Sequence, residues 1–207
     1  MAVVSNGTTI IDAGALGASA GAGKLTLIKT LTASSSSTLS FVHGASSVVF
    51  DGTYDSYVFK FINMHPATDD VSLLFQVDTG SNTSYNTTIT STRFRTLHGE
   101  GGANPLLHYQ AGEDEAQTTE FQDIAQEIGA DNDQCTGGTL TLFNPSSSVF
   151  VKHFIANSQT ALGGNYSSSN FTAGYFNTTT ALNKVQFKMT SGNIDAGTIK
   201  LYGISGS

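Results

Sequence analysis

From Phe41 onward the chain is a succession of short apolar runs broken by polar turns, and within the runs apolar residues recur at every second position. A period of two sends successive side chains to opposite faces of a strand, whereas a helix needs 3.6. In residues 57–64, Tyr57, Phe59 and Phe61 share one face, and Val58, Lys60 and Ile62 the other. Residues 71–77 follow a His-Pro-Ala-Thr-Asp-Asp turn of the expected chemistry. Residues 85–95, 106–110, 139–143, 149–156, 171–176, 185–189 and 198–204 read the same way. With 25–31, 39–42 and 48–50 they make roughly a dozen strands, at the spacing of sandwiches and barrels. Regular βαβ spacing is absent, so the expectation is an all-β, antiparallel β-sandwich rather than a parallel sheet. Phe59, Phe61, Leu74, Phe143, Phe154, Phe187 and Leu201 are the core candidates.

One segment departs from the pattern. Thr119-Glu-Phe-Gln122 has the spacing of a capping box, and Phe121, Ile124, Ala125 and Ile128 fall on one helical face. Gly129 supplies a stop, so one short helix is expected near 119–128. The surrounding stretch 113–133 holds eight of the 16 acidic residues, and no Lys or Arg occurs between Arg95 and Lys152. Asp131-Asn-Asp133 hints at a divalent cation. The sequence then lacks the turn glycine and distal glutamate of a calcium loop, so a solvated acidic surface is the simpler reading.

Residues 1–24 differ from the rest. Asp12 to Lys24 is a Gly/Ala tract with too few large side chains for a core of its own. Val3, Val4, Ile10, Ile11 and Leu16 are spaced among small residues, which suits an extended amino-terminal arm lying on a partner subunit. The chain therefore divides into an arm, 1–24, and a β-sandwich domain, 25–207. Gly17-Ala-Ser19-Ala-Gly21 matches a nucleophile elbow in letters, but no strong strand precedes it and no helix follows. Gly23-Lys24 lacks the first glycine and the following Ser or Thr of a phosphate loop.

Composition narrows the function further. Charged residues are 12% of the chain, while 24 Ser and 27 Thr keep the surface wet with hydroxyls. A net charge of −7 argues against a nucleic-acid partner, which would need cationic neutralisation of phosphates. No run is long enough for a membrane helix, and the basic start of a signal peptide is missing. Cys135 stands alone, which excludes an intrachain disulfide. His43, His65, His98, His108 and His153 show no zinc-ligand spacing, and Asp69-Asp70 reads as a turn cap. Six Asn-x-Ser/Thr triplets carry little weight in a chain this rich in Ser and Thr. The expectation is no catalytic residue, no metal and no cofactor.

Residues 57–66 (YVFKFINMHP), 140–155 (LTLFNPSSSVFVKHFI) and 174–204 (GYFNTTTALNKVQFKMTSGNIDAGTIKLYGI) resemble small virion structural proteins of tailed bacteriophages, of the marine and cyanobacterial type. The resemblance covers about residues 54–207. It implies a β-sandwich of jelly-roll type displayed on the virion, on the capsid exterior or the tail. It implies a capsid decoration or cement protein, partnered by the major capsid protein or other virion proteins and assembled as a homotrimer. A tail fibre or spike tip that binds a host receptor or carbohydrate is the alternative, with Tyr85, Tyr109, Tyr166 and Tyr175 as aromatic platforms.

Overall fold

The computed structural model describes residues 3–12, 15–16, 24–103 and 105–204. Every regular element among them is a strand, and all pairing is antiparallel. Two sheets form. The small one contains β1 (Val3–Ser5), β2 (Thr8–Asp12) and β3 (Ala15–Leu16). Asn6 and Gly7, at φ 47° and 78°, turn β1 back onto β2 so that Ser5 pairs with Thr8. Two consecutive positive φ values are the signature of a tight hairpin turn, and Asn-Gly is its commonest sequence. The expected arm is thus locally extended but doubled back on itself.

The large sheet has thirteen strands and is nearly closed into a flattened barrel. Its strands are β4 (Leu25–Thr32), β5 (Leu39–Val42), β6 (Ser56–Pro66), β7 (Val71–Thr79), β8 (Ile89–Gly99), β9 (Leu106–Tyr109), β10 (Ala116–Thr118), β11 (Gln122–Ile128), β12 (Thr136–Phe143), β13 (Lys152–Leu162), β14 (Tyr166–Phe176), β15 (Leu182–Met189) and β16 (Ile194–Ile204). One wall runs β4-β16-β6-β12-β13-β14-β8, with β9 and β10 paired to β8. The other runs β11-β7-β15-β5. They meet where Ile128 of β11 pairs with Leu162 of β13.

Between the walls lies an aromatic core. Phe187 is fully buried, with its ring centroid 5.4 Å from Phe59, 5.3 Å from Phe61, and 6.3 Å from both Phe41 and Phe75. Phe75 in turn meets Phe154 at 5.0 Å and Phe176 at 5.8 Å. Most of these contacts are edge-to-face, the arrangement that the ring quadrupole favours. Of the core candidates, Phe59, Phe61, Phe154, Phe187 and Leu201 are buried. Leu74 is only half-buried because Leu73 and Phe75 take the inward positions of β7. Phe143 is 37% exposed because Leu140 and Leu142 take those of β12.

The helix expected near 119–128 does not form. Gln122–Ile128 is strand β11, paired with β7. Register shifts between Asp123 and Ala125, and between Ala125 and Ile128, insert extra residues against Leu74, Leu73 and Val71. Each bulge resets the alternation by one residue. Two bulges in seven residues convert a period of two into the spacing of Ile124, Ala125 and Ile128, which imitates a helical face. Phe121 lies just outside the strand, under the ammonium of Lys188 at 4.0 Å.

Candidate functional site

The bulges in β11 have a consequence for the opposing strands. They free backbone carbonyls from the ladder, and buried carbonyls need donors. Ser158 of β13 donates to Ile124 O at 2.7 Å, and Thr172 of β14 to Asp123 O at 3.4 Å. The inward side of this part of the wall is polar, with Thr160, Ser168 and Asn170 also buried there. Arg93 of β8 is fully buried among them. Its guanidinium donates to Asn170 Oδ1 at 2.7 Å and Gln126 Oε1 at 3.2 Å, and lies 3.2 Å from the Asp123 carboxylate. Burial pushes the Asp123 carboxyl above its ordinary value, against the opposing pull of Arg93. Burial also lowers Arg93, with Asp123 opposing; a guanidinium nevertheless keeps its charge. Beside them Arg95 pairs with both oxygens of Glu127, at 2.8 and 3.1 Å.

With polar residues turned inward, the apolar ones of the same strands face outward. The register of β13, β14, β8 and β9 puts Asn157, Phe171, Phe94 and Tyr109 in one row across the outer face. Phe94 and Phe171 stack at 4.9 Å, nearly parallel at 10°. One step along, Ile155, Ala173 and Thr92 form the next row, and His153, Tyr175 and Thr90 the one after. Phe143, Ile155, His153, Ala173 and Tyr175 line a shallow hollow of about 460 Å³. Small Ala173 lets its floor dip between larger neighbours. A second hollow of about 190 Å³ continues past Ile155 to Phe94 and Phe171.

The connection from β12 to β13 carries two more exposed apolar side chains. Val149 is 67% exposed and Phe150 70%. The backbone that carries them is well anchored. Ser147 Oγ accepts both of their N–H groups, at 3.2 and 3.0 Å. Pro145 O accepts Leu182 N at 2.9 Å. Lys152, fully buried beneath, donates to Phe150 O at 2.9 Å and Thr178 O at 3.1 Å. Burial pulls its ammonium below the ordinary lysine value.

The five interface residues expected from sequence fall in the small sheet. Val3 and Val4 are 52% and 55% exposed on β1. Ile10, Ile11 and Leu16 contribute backbone to β2 and β3, and their side chains lie outside the described residues, as does Ser19 altogether. Of the four tyrosines expected as platforms, Tyr85 is buried, Tyr109 and Tyr175 stand on the outer face, and Tyr166 is half-buried at the start of β14. Among the described residues, no three His, Cys, Asp or Glu side chains stand close enough to share a metal ion. Sequence reasoning missed the outer face. Its signal was present in 139–143, where Leu140 and Leu142 alternate with Thr and leave Phe143 on the opposite side. No protein family, curated protein or solved structure matches this chain.

Proposed function

We propose that the chain is a structural protein of a bacteriophage virion, a jelly-roll domain that decorates the outer shell. The observation that carries this reading is the strand order. Taking β4, β5, β6, β7, β11, β12, β15 and β16 as strands one to eight, the walls run one-eight-three-six and two-seven-four-five. This is the order of a jelly roll, a fold shared by viral capsid domains and lectins. The remaining strands then enter as two insertions, β8 to β10 and the β13–β14 hairpin, which together widen one wall. The resemblance of residues 54–207 to tailed-phage virion proteins selects the virion from among the fold's uses, since fold alone does not. The outer surface is apolar and hydroxyl-rich, which suits attachment. In this reading the amino-terminal segment, through exposed Val3 and Val4, docks on the major capsid protein. The homotrimer and the capsid-exterior location rest on the resemblance alone.

A tail-fibre or spike tip is the second reading, favoured by Tyr109 and Tyr175 standing on the outer face with Phe94 and Phe171. Co-sedimentation of the full chain with undecorated shells separates the two. Saturable binding that falls when Val3 and Val4 are both changed to Asp supports decoration. Absence of shell binding, with binding to host cell envelopes instead, would refute it in favour of the tail.

A further inference from the structure

We propose that the outer face of β13, β14 and β8 is a binding trough for a neutral oligosaccharide. The inference stands on the chemistry of the trough, and it holds whether the chain sits on a shell or on a tail.

The trough has a defined shape. The two hollows share Thr92, Ile155 and Ala173, so they form one depression that crosses the strands. His153 and Tyr175 stand along one side, Phe171 and Phe94 along the other. Tyr175 and Phe171 are four residues apart on β14, or about 13 Å. Two aromatic stations at that separation serve a ligand longer than one sugar ring. The larger hollow, about 460 Å³, lies within the roughly 300–1,000 Å³ of small-molecule sites.

The edge beside Tyr175 is a chain of neutral donors and acceptors. The pairing of β10 with β8 shifts register between Ala116 and Thr118, and Gln117 takes φ 57° there. A bulge re-aims a side chain, and this one lays the Gln117 amide across β8 towards β14. Its Nε2 donates to Thr90 Oγ1 and, at 3.4 Å, to the Tyr175 hydroxyl. Its Oε1 accepts from Asn177 Nδ2 at 2.6 Å. Gln117 and Asn177 are both exposed, so this chain is ordered before any ligand arrives and still reachable. The His153 imidazole and the Thr92 hydroxyl, also exposed, hydrogen-bond to no described residue.

This combination selects a sugar. A pyranose has an apolar face of C–H groups and a rim of hydroxyls, so it needs a ring to lie on and polar groups beside it. Tyr175 offers an apolar ring with a polar tip, and Thr90, Thr92, Gln117 and His153 surround it. An acidic ligand finds no counter-charge, because neither hollow is lined by Lys or Arg and the chain carries −7. A peptide strand is disfavoured by the backbone. β13 pairs with β14, and β14 with β8, without a register shift, so the floor leaves no main-chain ladder open to strand addition.

The test is an array of immobilised neutral and acidic oligosaccharides probed with the full chain, followed by titration calorimetry. Expected is saturable binding, millimolar or tighter, to a neutral oligosaccharide; copies arrayed together would gain by avidity. Tyr175→Ala and His153→Ala should each weaken it about tenfold, the loss expected on removing one stacked ring. Ala173→Phe, which fills the floor and takes no side-chain contact away, should do the same with an unchanged circular dichroism spectrum. Leu27→Ser, exposed on β4 outside the trough, should leave binding as it is. Absence of binding to every neutral oligosaccharide overturns the proposal. Binding confined to acidic ones overturns it too, as does binding that Tyr175→Ala and Ala173→Phe leave intact. Shell co-sedimentation is read separately. Loss of shell binding in Tyr175→Ala, with no oligosaccharide bound by the unaltered chain, overturns the glycan site and gives the face to the major capsid protein. Glycan binding supports the site with or without shell binding, so this proposal and the decoration reading fail independently.

Discussion

Replacing Phe187 by Ala tests the packing of the barrel at its centre. The side chain is fully buried and meets four other phenylalanine rings. A phenylalanine buries about 200 Å², and the methyl group of alanine retains part of that, leaving about 150 Å² lost. At about 25 cal/mol per Å² the transfer contribution is near 4 kcal/mol. The walls are tied together by hydrogen-bonded strands on both sides, so the void collapses only in part and adds a cavity cost. Measured Phe→Ala changes in cores run about 3–5 kcal/mol, and the upper half of that range is expected here. For a chain of this size each kcal/mol moves Tm by about 2–4 °C, so Tm should fall by about 8–20 °C. The assay is equilibrium urea unfolding followed by far-ultraviolet circular dichroism and tyrosine fluorescence, which is clean because the chain has seven Tyr and no Trp. Phe171→Ala is the internal control. That ring is 38% exposed on the outer face, and its loss from the monomer should cost about 1 kcal/mol. A Phe187 cost below about 1.5 kcal/mol, or equal costs at the two positions, would refute the assignment of Phe187 to the core and Phe171 to the surface.

Two further outcomes follow from the polar wall. Gly174→Ala should destabilise strongly, by about 1–3 kcal/mol, because its Cβ would stand 2.4 Å from Thr90 O and 2.9 Å from the Phe154 ring; the backbone oxygen of β8 cannot step aside, and a Tm equal to wild type would contradict this spacing. Asp123 holds its proton more tightly folded than unfolded, so its contribution is present at low pH and is lost as pH rises from the unfolded value near 3.8 through the raised folded value. Asp123→Asn should therefore remove a downward slope of stability with pH above about 4, seen by urea titration at several pH values; identical slopes in both proteins would show that burial does not raise this group.

The period of two was legible where regular strands turn apolar residues inward, and residues 57–61 illustrate it: Tyr57, Phe59 and Phe61 alternate in sequence and all are buried. It failed where the ladder is irregular. In β11 two bulges made alternation look helical, and no local propensity betrays a bulge whose cause is the opposing strand. Asn6-Gly7 did carry a hairpin signal, which its reading as part of an Asn-x-Thr triplet obscured. The outer face was hidden for a different reason. Alternation says which residues share a side, and the rule that apolar sides face inward decides which side is in. At Ser158 and Thr172 that rule is inverted, because the freed carbonyls of β11 need hydroxyl donors. Only the tertiary partner shows this.

The place of β16 has a consequence for how the chain reaches its fold. It lies between β4 and β6, pairing with β4 from Thr198 to Ile204 and with β6 from Ile194 to Ile204. Thr32 and Thr198, in contact across the first of these pairs, are 166 positions apart. During synthesis β4 and β6 emerge early, and neither has its native neighbour on that edge until β16 is made. Closure of so long a loop precedes any gain from the contacts it allows, which slows the rate-determining step. The waiting strands, Leu25–Thr32 and Ser56–Pro66, are the segments through which newly made chains would join to one another. Folding yield, rather than native stability, should then be the quantity most sensitive to synthesis rate and chain concentration.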